Sequence, residues 1–116
     1  MTTEQQNMVK VIANYANGNE QPYSDKGDFL YKGNSTEGVF FKWEEMPFLT
    51  SMDYLHPVAV KVLDDLAVYF KPKSSRHRSN IIYCCRIKPN DKGEYTDLFN
   101  ATYNAIVFIN SQKEGK

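Results

Sequence analysis

The sequence carries no glycine-rich phosphate loop, no dinucleotide-binding fingerprint and no serine or cysteine set beside a general base. A cofactor-dependent enzyme therefore has little support, and no residue is assigned a catalytic or cofactor-binding role. Cysteine and histidine are scarce: the two cysteines are the adjacent Cys84 and Cys85, and the two histidines are His56 and His77. Neighbours in a strand point to opposite faces, so a bond between these cysteines is strained, and the spacing fits no zinc motif. No metal site is expected. Neither sign of charge is in excess, with 14 Lys plus Arg against 14 Asp plus Glu, so no global field draws the chain to nucleic acid or to an anionic membrane. The opening MTTEQQNMVK lacks the basic run and apolar core of a secretory signal, and no apolar run has membrane-spanning length. These features predict a reduced, cytoplasmic protein without a membrane partner.

What is present is a foldable core. The 116 residues are 41% apolar and include eight Tyr and seven Phe, enough aromatic area to offset the entropy of folding. That length suits one domain, residues 1–116, with a flexible tail from about residue 111.

Periodicity sorts the chain into elements. Thr3 with Gln6 reads as a capping box, and Met8, Val11, Ile12, Tyr15 and Ala16 recur at helical spacing, predicting a helix over about residues 4–17 that stops at Asn17-Gly18. Asn17 to Lys26 reads as a loop. The aromatic runs Asp28–Lys32 and Val39–Trp43 predict a hairpin. A second helix has Thr50 or Ser51 as its cap and restarts or bends at Pro57, with Val58, Val62, Leu63, Leu66, Tyr69 and Phe70 on the apolar side and Lys61, Asp64 and Asp65 on the wet side. Lys71 to Asn80 reads as a basic loop. Ile81 to Lys88 alternates like a strand, and Pro89 to Gly93 is a turn before a brief return over Glu94–Thr96. Thr96 or Asp97 caps a last helix that buries Leu98, Phe99, Thr102, Ala105, Ile106 and Ile109. The order predicts an α+β fold, a small antiparallel sheet packed with about three helices.

Three constellations carry possible function. Lys71, Lys73, Arg76, His77 and Arg78, with Arg86 nearby, form a basic cluster able to reach phosphates, against the plainer reading of a solvated connector. Phe40, Phe41, Trp43 and Phe48 concentrate aromatic surface that a protein partner can use where it faces outward, although most of it belongs in a core. Asp53, His56 and Tyr83 would serve a small-molecule site only if folding made them converge, and His56 otherwise suits helix-end packing.

The early MVKVIANYANG helix, the FLTSMDYLHPVAVKVLDDL block and the late LFNATYNAIVFIN helix resemble small uncharacterised proteins of bacteriophages and prophages, especially those of Bacteroidetes. Thr50, Ser51, Asp53, Leu55, Pro57, Val58 and Lys61 match that family's TSxDxLxPVxxK pattern; the segment from Lys71 to Arg78 lies outside it. A more distant resemblance is to phage proteins with an alpha-beta-alpha sandwich. The resemblance implies a phage or mobile-element accessory protein in the cytoplasm of a bacterial host, and supplies no catalytic residues. The leading expectation is a non-enzymatic role in protein–protein binding. Nucleic-acid binding through the basic cluster is the alternative, followed by a small-molecule sensor or enzyme.

Overall fold

The structure is a computed structural model, and it describes residues 2–16, 29–31, 39–41 and 46–114. Among the described residues four helices dominate: α1 (Thr3–Ala16), α2 (Met52–Tyr69), α3 (Ser75–Cys84) and α4 (Thr96–Glu114). Helix α1 starts from a reciprocal capping box one residue earlier than expected. The Gln5 amide donates to Thr2 Oγ1 at 3.1 Å, and the Thr2 amide donates to Gln5 Oε1 at 3.0 Å, so two donors of the helix start are satisfied by one side-chain pair. The stop expected at Asn17-Gly18 lies outside the described residues.

Leu55, Val58, Ala59, Val62 and Leu66 recur at helical spacing along α2 and are buried. Two details differ from expectation. Pro57 lies inside one continuous helix, five residues beyond its start, rather than restarting it. Without an amide hydrogen it leaves the Asp53 carbonyl lacking its helical donor, and Asp53 is exposed, so water can replace that donor. Ser51 occupies the N-cap position in extended conformation, yet its hydroxyl makes no capping bond; its carbonyl accepts from Leu55 at 3.1 Å.

The largest departure lies between residues 71 and 88. The segment expected as basic loop and then strand is a turn over 71–74 followed by α3, and only residues after Cys84 leave the helix. Ser74 and Ile81 are buried, while His77, Arg78, Cys84 and Cys85 are half-buried. Those positions form a stripe at i, i+3, i+4, i+7, i+10 and i+11, the spacing of a helix face. The alternation of Ile81, Tyr83, Cys85 and Ile87 is incidental: Tyr83 is 67% exposed.

The α+β expectation is thereby corrected to a helical fold. The main strand of that expectation is α3, and among the described residues the aromatic runs pair as a short antiparallel ladder, β1 (Phe29–Tyr31) with β2 (Val39–Phe41), Leu30 facing Phe40. Three residue pairs do not build a sheet layer on which helices can pack. The core instead lies among the helices, with α2 and α4 each packed against all three others and Met46, Phe48 and Leu49 filling in from the turn before α2.

On α4 the whole expected stripe, Leu98 through Ile109, is buried. The cap expectation fails there: the Phe99 amide bonds the Tyr95 carbonyl at 2.9 Å, so Tyr95 holds the cap position, while Thr96 Oγ1 accepts from Asn90 Nδ2. No strand returns over residues 94–96; the Tyr95 amide donates to the Leu49 carbonyl at 2.7 Å. The helix runs through Glu114, so residues 111–114, expected as tail, are helical. Among the described residues no helix is long and apolar enough to cross a membrane.

Candidate functional site

The corner where α2 passes into α3 gathers the strongest set of side chains. Ser74 fixes it: fully buried, its hydroxyl donates to the Leu66 carbonyl at 2.9 Å, and its amide donates to the Phe70 carbonyl at 2.9 Å. The carbonyl of Leu66, in the last turn of α2, and that of Phe70, the residue that caps its C-terminus, thus gain partners from Ser74. This tie folds α3 back against α2 and places the residues between them at the surface.

From that corner an aromatic row runs inward to α4. Tyr69 meets Phe70 edge-on with ring centres 6.3 Å apart, Phe70 meets Phe108 edge-on at 5.8 Å, and His77 stacks on Phe108 at 4.7 Å. Burial, and then the charge of Arg76, lowers the His77 pKa from its ordinary value, so the imidazole is neutral at neutral pH. A neutral ring can stack without losing hydration of a charge. Tyr69, Phe70, Pro72, Phe108 and Gln112 wall an open cleft of about 260 Å³, with Lys71 and Lys73 also lining it.

The basic cluster therefore divides. Lys71, Lys73 and Arg76 are exposed, whereas His77 and Arg78 are half-buried on the inward face of α3. Arg78 Nε is buried with no hydrogen-bond partner among the described residues. Arg86 is exposed beyond the opposite end of α3, roughly 15 Å along the axis from the helix start at 1.5 Å per residue, and does not join the others. Sequence reasoning found the lysines and Arg76 but missed Tyr69, Phe70 and Phe108 as cleft residues. Tyr69 was expected inside and is 71% exposed. The recoverable signal was its place at the end of the stripe, next to the turn at Pro72.

The aromatic set expected for a protein partner is also divided. Phe48 is fully buried in the core and presents no surface. Phe40 and Phe41 lie on β2, and Trp43 lies outside the described residues. Asp53, His56 and Tyr83 are each exposed, so they do not line an enclosed site between layers.

A second, larger hollow of about 370 Å³ lies between the end of α3 and the start of α4, lined by Cys84, Asn90, Tyr95 and Asp97 among others. Its polar groups are engaged structurally. Asn90 Oδ1 accepts from the amides of Lys92 and Glu94 at 2.9 and 3.0 Å, closing the turn that Gly93 completes at φ 75°. Burial, then Asp97 and Cys85, raise the Cys84 thiol above its ordinary pKa, and burial raises that of Cys85. Both cysteines are free, and protonated thiols are poor nucleophiles. Among the described residues no group of three or more His, Cys, Asp or Glu could hold a metal ion.

Comparison with protein-family models, with curated proteins and with solved structures gives no match. The geometry of the corner is therefore the basis for a functional reading.

Proposed function

We propose that this chain is a non-catalytic binding protein that engages nucleic acid through the α2–α3 corner. The carrying observation is the coincidence of exposed Lys71 and Lys73 with an aromatic-walled cleft, in a chain whose total charge is zero. With no net field, attraction to a polyanion has to come from such a local patch, and aromatic walls offer contact area that phosphate-binding lysines alone do not. The resemblance of the TSMDYLHP block to phage and prophage proteins supports an accessory role in a mobile element as the biological setting.

Titration of the purified chain with labelled oligonucleotides at increasing salt tests this reading. Affinity falls steeply as salt rises, and the paired Lys71→Ala and Lys73→Ala replacements flatten that dependence. Absence of binding at low salt, or a slope untouched by the replacements, would falsify it.

A protein partner is the second reading. Val68 and Tyr69 at the end of α2 and Tyr83 on α3 are 70%, 71% and 67% exposed, and such large apolar side chains favour protein contacts when they cluster. Recovery of one stoichiometric protein from a host lysate, lost on Val68→Asp, would favour this reading over the first.

A further inference from the structure

Resting on the nucleic-acid reading, we infer that the corner selects single strands and that Tyr69 is the stacking platform for an unpaired base. Tyr69 is the last residue of α2 and is 71% exposed, so most of its ring is available to solvent. Its orientation is nonetheless supported, because Phe70 meets it edge-on and is itself backed by Phe108, on whose ring His77 stacks. A ring held from behind and open in front loses little freedom when a base stacks on it. The cleft beside it, about 260 Å³ and open, carries the rings of Phe70, Pro72 and Phe108 in its lining, together with Gln112 and the two lysines. Any base offers a π-face to the aromatic part of that lining, which makes the contact tolerant of sequence.

The charges are disposed to follow a backbone. Lys71 and Lys73 lie on the turn immediately after Tyr69, and Arg76 lies in the first turn of α3, close enough to His77 to oppose its protonation. A duplex keeps its base faces stacked inside, so Tyr69 and the cleft would contribute nothing to it, and three cations would act alone. A single strand uses both sets: phosphates on Lys71, Lys73 and Arg76, and a base on Tyr69. An acidic peptide could use the cations but has no planar base to place in the cleft.

The test compares oligothymidylate, a duplex of equal length and polyglutamate by fluorescence anisotropy with the full chain, across a salt series. The single strand binds tightest, with a log–log salt slope of about −2 for three phosphate contacts. Tyr69→Ala weakens single-strand binding about 10-fold without changing the slope, and Tyr69→Phe restores it. Lys71→Ala with Lys73→Ala reduces the slope by about 1.4. Thermal melts accompany each variant, and because these side chains are exposed the melting temperature stays unchanged. Equal or tighter duplex binding, or a Tyr69→Ala variant that binds as well as the parent, overturns the single-strand inference while leaving nucleic-acid binding intact. Failure of both nucleic acids to bind removes both readings, and polyglutamate binding as tight as the single strand reassigns the corner to acidic proteins.

Discussion

Tyr15 shows how one side chain joins two helices. Its ring is almost wholly buried, its hydroxyl donates to Asp65 Oδ2, and its carbonyl accepts from Lys61 Nζ at 3.0 Å while that ammonium lies 5.1 Å from the ring centre. Lys61 thus neutralises the carbonyl end of α1 with a charge borne by α2. Burial, then the Asp65 hydrogen bond and the nearby carboxylates, raise the Tyr15 pKa far above the ordinary phenol value. Because the folded value exceeds the unfolded one of about 10, the unfolded chain loses this proton first as pH rises, and stability falls above pH 10. Urea melts at pH 8 and pH 11 should show that decline, and Tyr15→Phe should flatten it while costing about 1.5 to 3 kcal/mol at neutral pH. His77 behaves oppositely at the acid end. Its pKa is lowered by folding, so stability contributed by the neutral ring is complete above the unfolded value and is lost as pH falls below about 6.5. His77→Gln should reduce the slope of melting temperature against pH between 7.5 and 5.5.

At the scale of elements, α2 and α3 set different tests. Leu55 is fully buried, whereas the Ser51 hydroxyl makes no capping bond. Leu55→Ala should therefore cost about 2 to 5 kcal/mol and Ser51→Ala under about 0.5, as read from urea midpoints. On α3, Asn80 is exposed within the helix, so Asn80→Pro removes an amide donor and crowds the carbonyl four residues earlier, at a cost of about 3 kcal/mol. A stability unchanged by that replacement would contradict a helix at this position. The corner that joins the two elements depends on Ser74, and Ser74→Ala leaves the Leu66 carbonyl without its partner in a dry site. A loss of about 1 to 3 kcal/mol is expected, together with weakened oligonucleotide binding as the aromatic row loses its support.

Across the whole molecule, α4 is the common wall. It packs on α1, α2 and α3, and Phe99 on its inner face is fully buried. A chain of this length has on the order of 6 to 17 kcal/mol of stability, so Phe99→Ala, costing about 3 to 5 kcal/mol, should remove a large fraction of it. Because the helices share one core, unfolding followed by far-ultraviolet circular dichroism and by aromatic fluorescence should shift together in that variant. Separate transitions would show that α1 or α3 folds independently of α4.

The sequence by itself determined the helices whose inner faces are apolar. The stripe of α4 and the line from Val58 to Leu66 in α2 can be read residue by residue, because burial at a 3.6-residue period requires apolar side chains at that period. Local turn chemistry at Asn90 and Gly93 was equally legible, since the atoms that close it are neighbours in the chain. Helix α3 was decided only by the tertiary structure. Its inward positions include Ser74, His77 and Arg78, which look like solvent residues until the Leu66 carbonyl and the Phe108 ring are brought beside them. The run of Ile81 to Cys85 favours a strand by local propensity, and packing against α2 and α4 overrides that preference. The candidate site follows the same division: its cations are visible in sequence order, but Phe108 joins Tyr69 and Phe70 only because α4 passes beneath the corner.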